Sequence, residues 1–267
     1  ESVLSDLRKN GLNIESTGGE TADVGDLTGT VAVDSCAVAV AKRDAIIDNT
    51  NITSGLSIIG FSSAGKSSYE NSKNSGIGSN GLTSARHELL SRHYAENYPE
   101  TFDPLTEQEY VYCGPHRMND PLPSSDLTVG EALLSPTRTY LPLIKKISEE
   151  IGKELKGAVH CSGGGQTKCL RFGTEVKYVK DNLFNPPPIF SEIQKISKTS
   201  AREMHQVYNM GHRLELFCKP PLENILIDLA NEFKIEAKVI GRTVPSGNPN
   251  GKNQLQISLA DEILQYE

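Results

Sequence analysis

Tryptophan is absent from the 267 residues, and aromatic residues make up 6% of them. Few flat apolar rings are on offer for base stacking, which argues against a single-stranded nucleic-acid binder. Positive charge is also short: 27 Lys and Arg stand against 34 Asp and Glu, a net charge of −7. A broad phosphate-binding surface needs the opposite balance, so no nucleic-acid partner is expected. No apolar run approaches the ~20 residues that span a bilayer, and the start of the chain lacks a signal-peptide pattern. No membrane partner is expected. The five cysteines (36, 113, 161, 169 and 218) form no C-x-x-C pair. That removes the common zinc signature, and the odd count suits unpaired thiols in the cytoplasm.

The apolar share of 37% is ordinary for a globular chain, and the length allows one large domain or two small ones. The stretch GFSSAGKS, Gly60 to Ser67, matches the phosphate-loop pattern G-x-x-x-x-G-K-[ST] in every letter. The pattern works only with a strand before it and a helix straight after it. The strand is present as LSIIGF, Leu56 to Phe61. The helix is not: SYENSKNSGIGSNG, residues 68–81, has no apolar period and reads as loop. No later strand ends in a Walker-B aspartate. Lys66 therefore reads as a solvated lysine, and the chain does not read as a P-loop nucleotidase.

SVLSDLRKNG reads as a helix stopped by Gly11, LNIEST as a strand, and TVAVDSCAVAVA, residues 30–41, as a β-branched strand. KRDAIIDNTNITSG is a connector. LTSARHELLSRHYAENY is helical, and residues 97–127 form an inserted loop. SPTRTYLPLIKKISEEIG predicts a helix with Ser135 as N-cap and Pro136 at its first position. Its stripe is Tyr140, Ile144, Ile147 and Ile151, and Pro142 disturbs the first turns. KGAVHCSGGGQT is a strand running into a glycine turn. NPPPIFSEIQKIS, REMHQVYNMG and PPLENILIDLANEF are helices; HRLELFCK, IEAKVIGRTV and NQLQISLA are strands. The interleaving predicts an α/β or α+β class with a mixed sheet flanked by helices. There is no internal repeat.

Three glycine-rich turns stand where elements meet. GSNG, Gly78 to Gly81, opens the helix at Leu82; Ser79 or Asn80 caps it, or the turn offers backbone N–H groups to an anion. HCSGGGQT, His160 to Thr167, sets Gly163, Gly164 and Gly165 after a strand as a nest of donors, or as a tight turn alone. His160 at the strand end is a ligand-facing candidate, although a lone histidine is more often structural. GGETADVGD, Gly18 to Asp26, carries Glu20, Asp23 and Asp26, either Mg2+-type oxygen ligands or a solvated acidic loop.

Taken in order, GGETADV, a strand, a G-x-S-S-x-G segment leading to GSNGLTSAR, LLSPTRTY, HCSGGGQT and NMGHRLEL resemble the phosphoribosylformylglycinamidine cyclo-ligases, or AIR synthases. The likeness is strongest to the branch in Bacteroidetes-like bacteria and runs through nearly the whole chain. Formylglycinamidine synthetase, selenophosphate synthetase, thiamine-monophosphate kinase and a hydrogenase maturation factor share the superfamily; SPTRTY and SGGG favour the cyclo-ligase. The resemblance implies two domains, with residues 1–42 the tail of an ATP-binding and dimerising N-terminal domain and residues 43–267 the C-terminal domain. It implies that the upstream part of the family chain lies outside these 267 residues, which alone would be inactive and poorly soluble. It departs at one point. The common family loop reads HSNG, and Gly78 stands where that histidine would be.

The implied reaction closes an imidazole ring in purine biosynthesis. ATP phosphorylates the amide oxygen of formylglycinamidine ribonucleotide, an amidine nitrogen attacks that carbon, and phosphate leaves. By the resemblance, Gly18, Gly19, Glu20 and Thr21 would touch ATP, and Glu20 with Asp23 would hold Mg2+. Ser79, Asn80 and Gly81 would hold an anionic group. His160 and Arg138 would be catalytic, with Thr137, Gly163, Gly164, Gly165, Asn209 and Gly211 lining the substrate cleft. A homodimer is implied. The competing readings are a non-catalytic binding or dimerisation module and another ATP-dependent superfamily member.

Overall fold

The computed structural model describes residues 2–23, 25 and 33–267. Its centre is a seven-stranded sheet in the order β2-β4-β1-β5-β3-β6-β7. The strands are β1 Ser57–Ser62, β2 Gly157–His160, β3 Val176–Lys180, β4 His212–Cys218, β5 Ala237–Pro245, β6 Gln254–Ser258 and β7 Ile263–Tyr266. Neighbours are antiparallel except β3 and β6, which run parallel. The expected mixed sheet with helices is what forms.

Every residue of β1 and β4 is buried, because both faces of the sheet are covered. Side chains alternate across a strand. Ile59 and Phe61 of β1 and Leu214 and Leu216 of β4 pack with α5 (Leu141–Ile151) and α8 (Glu223–Glu232) through Leu143, Ile147, Leu226 and Leu229. Ile58 and Phe217 point the other way, to Tyr178, Ile240 and Leu255. A separate cluster joins α2 (Leu82–Leu89), α4 (Val129–Leu133), α6 (Pro188–Ser197) and α7 (Ala201–Val207) around Ile77, Leu89, Val129, Ile193 and Met204. Each such side chain contributes roughly 1.5–3 kcal/mol relative to exposure. Two further helices are α1 (Ser2–Lys9) and α3 (His93–Asn97).

Four expectations need correction. LNIEST forms no strand, and neither does the described part of TVAVDSCAVAVA, residues 33–41; residues 30–32 lie outside the described set. Val33, Val38 and Val40 are exposed. A strand is a paired object, and no edge of this sheet meets them. The helix expected from Ser135 begins instead at Leu141, so Pro142 falls in the first turn, where a missing N–H costs nothing. Ser135 accepts from the Ser75 N–H and donates to the Glu131 carbonyl. The long helix after Leu82 breaks at Leu90, whose backbone is extended, giving α2 and α3. Strands β3 and β7 and helix α4 were not expected. Lys66 is exposed, and no helix lies between Ser67 and Leu82; paired backbone bonds between Gly65 and Asn74 close that loop.

Candidate functional site

Strands β1 and β2 end, and the antiparallel β4 begins, at one edge of the sheet: Ser62 pairs with His212 and His160 with Leu214. The segments leaving those strands therefore converge. The Ser63 N–H donates to the Gly211 carbonyl at 2.9 Å. The Ser63 hydroxyl donates to Asn209 Oδ1 at 2.7 Å, and Asn209 Nδ2 donates to the Gly76 carbonyl at 2.8 Å. Gln166, from the third glycine turn, donates through Nε2 to the carbonyls of Asn209 and His212. Asn209 is buried and spends its amide on these loops, so it frames the site.

The GSNG turn meets the SGGG turn in the same place. Gly81 is the N-cap of α2 with φ 73°, and no side chain caps this helix. Ser79 and Asn80, expected as caps, act elsewhere. The Ser79 N–H donates to Thr137 Oγ1 at 3.2 Å, the Thr137 hydroxyl donates to Ser79 Oγ at 3.4 Å, and Asn80 Nδ2 donates to the Val207 carbonyl. The backbone donors of the first helical turn thus carry no side-chain cap. Asn80 Oδ1 lies 3.8 Å from where a Cβ on Gly163 would sit, so the two turns face each other. Gly165 has φ 50°, and a Cβ there would come within 2.5 Å of the Tyr208 carbonyl oxygen; packing alone demands this glycine. Gly164 has φ 97° but open surroundings, so its demand is conformational.

His160 is exposed at the end of β2, although its ring lies against protein on one side. Partial burial, then the charges of Arg213 and Lys168, push its imidazole down to about 4. The Lys168 ammonium also donates to Ser162 Oγ at 3.3 Å. Arg138 sits behind the loop. Nε donates to Glu70 Oε1 (2.8 Å), Nη1 to the carbonyls of Ser62 and Ala64 (2.8 and 2.9 Å), and Nη2 to the Gly65 carbonyl and Glu70 Oε2 (3.0 and 2.7 Å). All five donors are used inside the protein. Burial opposes the charge on Arg138, and Glu70 more than compensates. Arg138 thus braces residues 62–65, and in this arrangement no donor remains for a ligand.

Beneath the SGGG turn lies a buried polar network. The Lys180 ammonium donates to Glu215 Oε1 at 2.5 Å and to both oxygens of Gln166, and His212 Nε2 is 2.9 Å from Glu215 Oε1. Burial alone would raise the Glu215 carboxyl; Lys180 and His212 hold it down to about 2. Cys161, His212 and Glu215 bring ligand atoms within 4.8 Å of one another. The cation of that cluster is already the Lys180 ammonium, which would repel a metal ion. Burial and Glu215 also raise the Cys161 thiol well above its usual range, away from the thiolate a metal needs. All five cysteines are free thiols.

The acidic loop stands apart. Gly18, Gly19, Glu20, Thr21 and Asp23 are exposed, and nothing lies within 4 Å of a Cβ built on Gly18 or Gly19. The Asp23 carboxylate accepts from the Gly25 N–H at 3.1 Å. Among the described residues, Glu20 and Asp23 join no cluster of three ligand groups. Asp26 lies outside the described residues. No described helix is long and apolar enough to cross a membrane.

Glycine turns and a histidine thus gather where β1, β2 and β4 meet, beside the buried Lys180–Glu215 pair. Residues 53–252 match the AIR synthase related protein, C-terminal domain, and the chain belongs to that family. The phosphoribosylformylglycinamidine cyclo-ligase of Methanocaldococcus jannaschii is 33% identical over 239 residues, covering 90% of this chain and 59% of the relative. The enzyme of the same name from Methanococcus maripaludis is 30% identical over 249 residues, covering 93% and 61%. A chloroplastic/mitochondrial cyclo-ligase from Vigna unguiculata is 29% identical over 217 residues, covering 79% and 47%. The chain thus spans about three-fifths of the archaeal relatives' length. Among solved structures, T. maritima PurL complexed with ATP overlays with a TM-score of 0.41 at 10% identity, covering 85% of this chain and 27% of that one. The hydrogenase maturation protein HypE of E. coli gives 0.39 at 12% identity, covering 82% and 51%.

The sequence reading missed Gln166, Lys180, Arg213 and Glu215. A signal existed for Lys180, which shares the alternating face of Val176 and Tyr178, whereas in HRLELF the alternation set Arg213 and Glu215 opposite Leu214 and Leu216, on the face expected to meet solvent.

Proposed function

We propose that this chain is the substrate-holding C-terminal part of a phosphoribosylformylglycinamidine cyclo-ligase, with residues 1–42 belonging to its N-terminal domain. The observation that carries the proposal is the convergence of GSNG, Thr137, HCSGGG and the Asn209–Gly211 loop on one sheet edge. The reaction needs a site that holds a ribose phosphate while the formyl amide oxygen of formylglycinamidine ribonucleotide is phosphorylated. An amide oxygen is a poor leaving group and a phosphate is a good one, so ATP supplies the activation. The amidine nitrogen then attacks the activated carbon, and the C–O bond breaks with inorganic phosphate as leaving group. His160, its imidazole held down to about 4, stays neutral and accepts a hydrogen bond from the attacking nitrogen, whose proton passes on to solvent.

The N–H groups around Ser79, Asn80 and Gly81 and the Gly163–Gly165 nest hold an anionic group by charge and position. Arg138 acts through the loop it braces. Gly18, Gly19, Glu20 and Thr21 serve the nucleotide. Mg2+ would neutralise its phosphates, but the described packing gathers no ligand set around Glu20 and Asp23, so no step is routed through it. A second copy of the chain is the proposed partner of exposed residues 33–41, and the cytoplasm the proposed compartment. The test is to supply the full-length protein with ATP and formylglycinamidine ribonucleotide. ADP, phosphate and aminoimidazole ribonucleotide should appear in equal amounts; ADP release without ring product sinks the proposal.

A further inference from the structure

Arg213 is among the largest fully buried side chains of the protein, at 2% exposure, and sits near the start of β4. Its Nη2 donates to the carbonyls of Gly76 and Ile77 at 2.9 and 2.8 Å. Nε and Nη1 are buried and have no hydrogen-bond partner among the described residues. No carboxylate pairs with it among the described residues. Burial works against its charge, the buried Tyr140 and Cys161 beside it favour that charge, Arg138 opposes it, and His160 feels it in turn. A buried guanidinium with two idle donors and no carboxylate beside it among the described residues is costly to keep. A fixed cost of this kind at a ligand-facing edge calls for a counter-charge that arrives from outside.

Position 78 shows where the guanidinium lies. A Cβ on Gly78 would fall 1.9 Å from Arg213 Nη1 and 2.1 Å from Nη2. The guanidinium therefore fills the space a side chain at position 78 would take, three residues before the N-cap of the eight-residue helix α2. The turn itself contributes no side chain there, and the charge comes across from the strand.

We propose that Arg213 is the charged anchor of an anion subsite between the GSNG and SGGG turns, taking a compact phosphate group with the α2 N-terminus. It rests on the reading that this edge holds a phosphorylated substrate. Arg213 supplies the basic group and Gly78 the room for it. Nε and Nη1 are buried in this arrangement, so the GSNG turn shifts as the phosphate arrives; the phosphate then accepts from both and removes the uncompensated charge.

The test uses the full-length protein, with inorganic phosphate, ribose 5-phosphate and ADP as probes in calorimetric titrations. Arg213→Met should weaken phosphate binding tenfold or more while the melting temperature holds or rises, since an unpaired buried charge is lost. A purely structural bracket would instead melt lower and bind phosphate as before, which overturns the proposal. Should the variant fail to fold, the unaltered protein decides. Saturating phosphate should raise the titration midpoint of labelled His160 by cancelling the Arg213 charge; an unmoved midpoint refutes the subsite. The tightest of the three probes identifies the source as free phosphate, a sugar phosphate or a nucleotide. Ring closure is measured separately. Phosphate binding that depends on Arg213 without turnover upholds the subsite and sinks the cyclo-ligase reading; turnover with Arg213-independent binding does the reverse.

Discussion

Replacing Glu215 with glutamine tests the buried network from its centre. The change keeps the shape and deletes the charge opposite Lys180, whose ammonium is wholly buried at 2.5 Å. Breaking such a pair by removing one partner costs ~3–5 kcal/mol, because the surviving charge cannot reach water. At ~2–4 °C per kcal/mol for a domain of this size, the melting temperature should fall by about 6–20 °C. Calorimetry or circular dichroism reads it directly. The double variant Lys180→Met/Glu215→Gln removes both charges and should recover more than half of the loss. A Glu215→Gln protein that melts within about 2 °C of the parent would refute the reasoning. The same pair sets a pH dependence. The Glu215 carboxyl is held down to about 2 from its usual 4.5, so the stability it contributes is present above 4.5 and lost as pH falls towards 2.

The His160 imidazole is held down to about 4, so histidine NMR should find it neutral at pH 6, and a midpoint at its ordinary 6.5 would contradict its placement beside Arg213 and Lys168. Lys66→Ala should leave ATP affinity and turnover unchanged, because Lys66 is exposed on a loop with no following helix; a hundredfold loss would restore the phosphate-loop reading, about the effect of a lost transition-state contact. Gly164→Val forces a β-branched residue to φ 97° at ~1–3 kcal/mol of strain and puts a side chain in the nest; the folded variant should bind ribose 5-phosphate more weakly, and unchanged affinity would reduce SGGG to a turn.

Where local pattern and tertiary packing agreed, the sequence was easy to read. Ile189 and Ile193 repeat at helical spacing and do form the buried stripe of α6. The glycine turns were visible because few residues accept their backbone angles. Strand β3 was hidden because VKYVK carries two lysines, and only the fold reveals that Lys180 finds Glu215 across the sheet. Helix α4 left a usable sign: Thr128 and Glu131 form a capping box. Arg138 misled because SPTRTY exposes it on paper, whereas its partner Glu70 lies 68 residues away. The segment at 33–41 misled in the opposite sense: its β-branched residues favour a strand, but propensity does not supply a neighbour to pair with.

The interlock of Gly78 and Arg213 makes two distant positions compete for one volume. A histidine at position 78 and this arginine at 213 cannot share the same space, since the Cβ alone would overlap the guanidinium. Any residue larger than glycine at 78 therefore needs the arginine to move away or a shorter side chain at 213. The two positions stand 135 apart in the sequence, so a chimera that joins the first half of this domain to a foreign second half inherits the fit only when both members of the pair come along.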